Sequence, residues 1–463
     1  MEQIIRKRNI VVIGAGLTGL TTALTLKRKN KDVEVVECQN RIGGQMQTQQ
    51  ADGFTFESGP STGVVSYPEV SELFTSLYPS CELEVAKESS KKRLIWKGSA
   101  FHPLPASLMG GVTTPLFRWR DKFGILLEPF RTKGTNPDET VGALTIRRLG
   151  RSYLDYAVDP FLSGVYAGDP MRLVTRYAMP KLYNLEQNYG SFIRGAFAKA
   201  KQPKSDRDKL ATKKVFSVKG GFGRLIEAMG AALGNENITV GAQSVSVRPC
   251  GNTWQVDYTD ARLNHVVISC DKVVTTCGSY VLPQLLPFVE GEIMSALNNL
   301  TYAPIIQVAV GIKNSDGNDP VGFGGLVPSL EKRDVLGILF PSSCFEGRTP
   351  DGGVLFSFFI GGIRHPECLQ MTDEQISAMV TADLSSMLGY KATTHPDLVR
   401  VFRHSHAIPQ YEANTGERLT ALDNMRRQYP GLIIAGNMWG GIGMADRIRQ
   451  AVNIADQLVK DGE

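Results

Sequence analysis

Apolar and polar positions along this chain follow two rhythms, one of strands and one of helices, and the switches between them outline its elements. Residues 9–37, NIVVIGAGLTGLTTALTLKRKNKDVEVVE, open on an unbroken apolar run at 10–13, as a strand buried on both faces should. A glycine-rich turn, a helix and a second strand ending at Glu37 follow. Residues 215–247 predict a glycine turn, an amphipathic helix with Leu225, Met229 and Leu233 on one face, and an alternating strand. HVVISCDKVVTTC (265–277) predicts two further strands, and residues 431–459 predict strand, glycine loop and closing helix.

These blocks are scattered but alike, so the expected fold is α/β with one discontinuous Rossmann-type domain built from 1–90, 215–305 and 431–463. Two insertions interrupt it. Residues 91–214 are expected to be mostly helical and 306–430 to form an α+β substrate domain. The polar stretch KQPKSDRDKLATKK (201–214) marks one boundary.

The first turn carries the chemistry. Gly14, Gly16 and Gly19, with Ala15, Leu17 and Thr18 between them, spell GxGxxG. The first glycine permits the turn, the second lets a pyrophosphate approach the backbone, and the third lets helix and strand pack closely. Glu37, 18 residues after Gly19, stands where a carboxylate takes ribose hydroxyls. Arg41, Gly43 and Gly44 then offer a second close backbone approach, and Gly59, Pro60, Ser61 and Thr62 a turn beyond it. An elongated FAD needs both, so FAD is the expected dinucleotide. Val245 is expected to lay its backbone against the adenine. Ile442, Gly443 and Met444 are expected to open the last helix, whose N-terminal amides would meet the flavin.

Composition adds exclusions. The 463 residues are 42% hydrophobic and 21% charged with formal net charge +5, too mild and dispersed for nucleic acid binding. Seven scattered cysteines never form CxxC and six histidines give no HExxH, so neither a disulfide framework nor a metal site is expected. His404 and His406 read as two faces of one strand. VLFSFFIGGI (354–363) is too short to span a bilayer, and the N-terminus leaves no room for a secretory segment, so the expected location is cytoplasmic.

Further motifs carry a resemblance. PDETVGALTIRRLG (137–150), PFLSGVYAGDP (160–170), LEQNYGS (185–191), GFGGLVPS (322–329), VLGILF (335–340), FSFFIGG (356–362), IPQY (408–411) and the closing AGNMWGGIGM together resemble the protoporphyrinogen oxidase family. The resemblance covers essentially the whole chain. The nucleotide motifs alone are shared with monoamine oxidases and phytoene desaturases, which lack YAGDP. It implies an amine-oxidase-like flavoprotein of haem biosynthesis that removes six electrons from protoporphyrinogen IX, with dioxygen as acceptor. The flavin then carries the chemistry and no catalytic side chain is expected. Cofactor contacts are implied for Gly14 to Gly19, Glu37, Cys38, Gln45, Gly59 to Thr62, Val245, Asn437 and Ile442 to Met444. Arg93 is implied to hold a substrate propionate, as a guanidinium fork suits a carboxylate. Leu326, Leu339 and Phe359 are implied to sandwich the macrocycle, and Gly168 to leave room beside it. Where several relatives carry a basic residue after the RxGG unit or the GP pair, this chain has Gln45, Gln47 and Ser61, so its flavin electrostatics are expected to differ.

Residues 115–134, PLFRWRDKFGILLEPFRTKG, mix Phe, Trp and Leu with five basic and two acidic residues, which suits peripheral attachment to a membrane. A homodimer and handover of product to a ferrochelatase-like enzyme are further partner expectations. Two rival activities stay open. One is oxidation of coproporphyrinogen III, which bears four carboxylates rather than two and would be favoured by a second basic cluster at the cavity mouth. The other, more remote, is a flavin amine oxidase.

Overall fold

The computed structural model describes residues 3–460, the side chain of Leu108 excepted. The apolar run at 10–13 ends the strand Gln3–Ile13, at the middle of a seven-stranded sheet. Its neighbours are Val33–Val36 on one side and His265–Thr275 on the other, both parallel to it. Thr253–Thr259 and Gln243–Cys250 extend the sheet antiparallel, and Leu432–Ile434 joins parallel to 273–275. The predicted pair of strands at 265–277 is thus one strand. Gln3–Ile13 gives it a continuous partner from Gln3 opposite His265 to Ile13 opposite Thr275, which carries it through the polar Asp271–Lys272 step.

The helices Leu17–Arg28, Gly223–Leu233 and Met444–Lys460 cover one face of this sheet. Leu225, Met229 and Leu233 are buried there, as the apolar stripe requires. On the other face lies Thr415–Gln428, whose Ala421, Leu422 and Met425 pack into the core with Leu432 and Ile434. That helix therefore sits on the first sheet, although 306–430 was expected to form an insertion.

A second seven-stranded sheet runs in the order Leu398–Pro409, Tyr302–Ile312, Val354–Gly361, Val335–Leu339, Gly324–Leu326, Arg93–Lys97, Ala100–Pro103. Its two last strands come from the stretch expected to be helical. Arg93–Lys97 pairs parallel to Gly324–Leu326, and a parallel pair needs no local turn that a sequence would reveal. The boundary expected at 305 likewise falls inside Tyr302–Ile312, all of whose residues are buried.

Beyond 103 the first insertion is helical. Its centre is ionic: the fully buried Arg148 pairs with Glu128 at 3.0 Å and Glu186 at 2.7 Å and donates to the Gly190 carbonyl at 2.6 Å. Removing one partner would strand a charge in a dry interior, so the network fixes how these short helices meet.

Candidate functional site

The first turn behaves as its glycines require. Gly14 has φ +101°, and a Cβ on Gly19 would lie 1.9 Å from the Gly14 carbonyl oxygen, so helix and strand touch backbone to backbone. A Cβ on Gly16, by contrast, would meet nothing within 4 Å, leaving an open approach at the start of a 12-residue helix. Leu17 and Thr18 turn their side chains into the core, so only their backbones face that opening. Gly16 bridges to Gly43, and a Cβ on Gly44 would come 3.2 Å from the Gly16 Cα. The two glycine loops lie back to back. Arg41 closes the second, donating from Nη2 to the Gly44 carbonyl at 2.7 Å.

Glu37 is buried beside this turn. Its Oε2 accepts from the Ala15 amide at 2.6 Å and its Oε1 from the Gln39 amide at 2.8 Å. Cys38 is exposed next to it, its thiol pushed up by burial of the sulfur and by the Glu37 charge. Val245 is half-buried on Gln243–Cys250, at a bulge where the register shifts between Gln243 and Ser246. Gly14, Gly19 and Gly44 are thus packed closely where a side chain would clash, and Gly16 stays open beside a buried carboxylate, an arrangement that fits the nucleotide half of FAD.

A cavity of about 990 Å³ lies against the second sheet. Gln45, Gly59, Pro60, Ser61 and Thr62 line one wall, and Asn437, Ile442, Gly443 and Met444 another. A Cβ on Gly59 would stand 1.9 Å from the Gln45 carbonyl oxygen, so these two segments are also in backbone contact. Gln307 ties the turn to the second sheet, donating to the Glu57 carbonyl at 2.9 Å and to Ser61 Oγ at 3.2 Å. His404 faces the same cavity with Nε2 2.8 Å from the Ser58 carbonyl, and its pKa is lowered by burial. His406 instead stacks on Tyr280 with ring centroids 4.1 Å apart.

The loop at 436–443 depends on two buried side chains that the sequence reading did not single out. The Tyr411 hydroxyl lies 2.8 Å from the Asn437 carbonyl and 3.0 Å from that of Gly441. Burial pushes its phenol up to about 12, which keeps it a donor. Arg447 donates to the Trp439 carbonyl at 2.9 Å and also bonds the Gly436 carbonyl. The last helix opens at Met444; Ile442 and Gly443 precede it.

The second sheet supplies the apolar wall. Leu326, Leu339 and Phe359 come from three adjacent strands and all face the cavity. Arg93 lines it from the strand beyond, its guanidinium 5.9 Å from the Phe323 ring centroid. It is exposed, and among the described residues no carboxylate pairs with it.

Gly168 corrects an expectation. It is buried away from the cavity, where a Cβ would lie 2.4 Å from Gln410 Oε1 and 2.9 Å from Leu173 Cδ1. The glycine of this segment that faces the cavity is Gly164, whose Cβ would stand 2.4 Å from Leu326 Cδ2. Gly168 is needed so that the segment can pack on Gln410, which donates to the Tyr166 carbonyl at 2.8 Å. Two motifs read separately, SGVYAGDP and IPQY, are thus one contact. Arg364 pins the same segment from the other side, at 2.8 Å from Asp159 and 2.9 Å from Asp169.

Residues 17–459 match the family model for flavin containing amine oxidoreductase. The chain is 28% identical to protoporphyrinogen oxidase 2, chloroplastic/mitochondrial, of Arabidopsis thaliana, across 98% of this chain and 94% of the relative. It is 24% identical to coproporphyrinogen III oxidase of Bacillus subtilis, across 96% of each. Among solved structures it superposes on one from Exiguobacterium sp., provisionally described as a protoporphyrinogen oxidase, with a TM-score of 0.81 at 21% identity, covering 98% of this chain and 99% of that one. A triple mutant of putrescine oxidase, redesigned in its cofactor binding, superposes with a TM-score of 0.71 at 14% identity, covering 99% of this chain and 100% of that one. With the family model spanning nearly the whole chain and the glycine cradle in place, the chain belongs to the flavin containing amine oxidoreductase family and is an FAD-dependent oxidoreductase.

Proposed function

We propose that this chain oxidises a porphyrinogen, protoporphyrinogen IX in the leading reading, to the corresponding porphyrin by three successive two-electron steps, with dioxygen reduced to hydrogen peroxide after each. The observation that carries this is the cavity itself: about 990 Å³, at the top of the range for small-molecule sites, with a broad apolar wall and an unpaired guanidinium at its rim. Bound FAD would supply the two-electron acceptor. The protein's own part is binding and shielding. Leu326, Leu339 and Phe359 offer flat apolar contact to a macrocycle, and Arg93 offers a bidentate partner to a propionate.

The test is porphyrin fluorescence after mixing the holoenzyme with each porphyrinogen, in air and under nitrogen. Air-dependent porphyrin formation is expected, and Arg93→Ala should raise KM about tenfold, the usual worth of a charge-assisted hydrogen bond. No turnover of any porphyrinogen would sink this function, and an unchanged KM would sink the role of Arg93.

The same reading includes attachment to a lipid surface. No helix among the described residues is long and apolar enough to cross a membrane. The short helix Trp119–Gly124 and the stretch Ile125–Phe130 nevertheless leave Trp119, Phe123, Leu126, Leu127 and Phe130 exposed, with Phe130 at 78%. Arg118, Arg120 and Lys133 stand exposed around them. Large apolar side chains amid cations suit an anionic interface.

A further inference from the structure

Arg93 is not the cavity's only cationic feature. Tyr67, which precedes the helix Pro68–Leu77 and lines the cavity, has three cations gathered around its ring. Arg449 Cζ lies 4.5 Å from the ring centroid, Lys181 Nζ 4.8 Å and Lys213 Nζ 5.9 Å. They come from three separate elements: the last helix, the helix Pro180–Tyr189 and the linker before Val215–Val218. Lys181 and Arg449 themselves line the cavity and are exposed, so the cluster stands at its mouth.

Among the described residues, Lys181, Lys213 and Arg449 form no ion pair with any carboxylate; Lys213 donates only to the Ser66 carbonyl, at 2.6 Å. The acid one turn before Arg449, Asp446, is turned to the 441–443 loop, where its Oδ2 accepts from the Gly443 amide at 3.2 Å. Arg176, a further cavity cation, is committed to Asp138 at 2.6 Å. Cation–π contact with Tyr67 offsets part of the mutual repulsion of three like charges but leaves the donors of Lys181 and Arg449 free. Lys213 registers that repulsion: its pKa is lowered by burial first, then by the charges of Lys181 and Lys204.

We propose that Lys181, Lys213 and Arg449 around Tyr67 form a second carboxylate anchor, separate from Arg93, that fits the cavity for a porphyrinogen carrying four carboxylates. The two anchors belong to different elements, Arg93 to the second sheet and the collar to the last helix, the insertion helix Pro180–Tyr189 and the linker before Val215–Val218. A macrocycle with carboxylates on several edges can engage both, whereas one with two adjacent propionates engages only one fully. This inference rests on the porphyrinogen-oxidising reading above and shifts its preferred substrate from protoporphyrinogen IX to the tetracarboxylate.

The experiment compares coproporphyrinogen III, with four carboxylates, against protoporphyrinogen IX, with two, in the wild-type holoenzyme and in the double variant Lys181→Gln/Arg449→Gln. The ratio of kcat/KM for the tetracarboxylate to that for the dicarboxylate should fall about tenfold in the variant, one charge-assisted contact or more. A ratio unchanged within twofold would overturn the anchor. Should the double variant fail to bind FAD, the two single variants report the same ratio. Binding of the stable porphyrins, read by fluorescence quenching, separates the two readings. With no turnover of either porphyrinogen, the proposed function falls. Weakened binding of coproporphyrin III in the variant would still support the anchor, and unchanged binding would overturn it.

Discussion

Glu57 shows how a single carboxyl behind the cavity wall couples folding to pH. It is buried and accepts from the Phe222 amide at 2.9 Å and from Thr48 Oγ1 at 2.8 Å, with Arg348 near enough to favour its charge. Burial outweighs all of these and pushes its pKa up to about 7. The unfolded chain would release that proton near pH 4.3. Between the two values the folded state holds a proton that the unfolded state has lost. Stability is therefore greatest below about pH 4.3 on this account, declines as pH rises through about 7, and is flat above. The gap of about 2.7 between the two values corresponds to an upper bound of ~4 kcal/mol. Glu57→Gln removes the titration while keeping the shape. The wild type should lose Tm between pH 5 and pH 8, and the variant should lose less, as calorimetry would show. Parallel pH profiles would exclude Glu57 as the source. At this scale the sequence was readable where a residue's demand is local. Gly14 and Gly19 had to be glycine for reasons contained in one turn. Gly168 was readable as a required glycine but not for its reason, because Gln410, the side chain it makes room for, lies 242 positions away.

Elements position the site through contacts that span the chain. The loop 436–443 is held in place from a different segment, by Tyr411 just after the strand Leu398–Pro409. Its hydroxyl proton is shared between two carbonyls in a buried setting, and among the described residues no other side chain donates to either. Tyr411→Phe keeps the ring packing and deprives both carbonyls of their donor, which costs ~1–3 kcal/mol. Because Asn437 and Ile442 to Met444 line the cavity from that loop, the variant should release FAD more readily. Its Kd should rise about tenfold and its Tm fall by a few degrees, followed through flavin fluorescence on heating. A Kd within twofold of the wild type would mean the loop holds its shape without the phenol. The closing strand–loop–helix was legible because its period changes from apolar strand to amphipathic helix within one stretch. The strand Arg93–Lys97 was not, since its partner Gly324–Leu326 is parallel and distant. Nor was the continuity of His265–Thr275, which only the neighbouring strand enforces.

At the scale of the molecule, the second sheet, the 59–67 turn, the insertion helices and the 437–449 segment enclose the cavity, and the helical insertion also turns an apolar face outward. Its short helices cannot be stable alone; the buried Arg148–Glu128–Glu186 network holds their inner side. Glu128 lies within the very stretch, Ile125–Phe130, that exposes Leu126, Leu127 and Phe130. Those side chains consequently project from a fixed base and not from a loose loop, so their exposure cannot be relieved by a small rearrangement. Burying a large apolar side chain is worth ~1.5–3 kcal/mol, and partial insertion of three of them suffices for measurable attachment. Each nearby Arg or Lys adds ~1 kcal/mol on an anionic surface. The holoenzyme should therefore sediment with vesicles containing phosphatidylglycerol and less with neutral ones. The triple variant Trp119→Ser/Phe123→Ser/Phe130→Ser should bind the anionic vesicles at least tenfold more weakly while keeping its flavin spectrum. Equal binding by the variant would remove this face as the point of attachment. Loss of the difference between anionic and neutral vesicles on Arg118→Gln/Arg120→Gln, with the aromatics intact, would assign the charge-dependent share to those two residues.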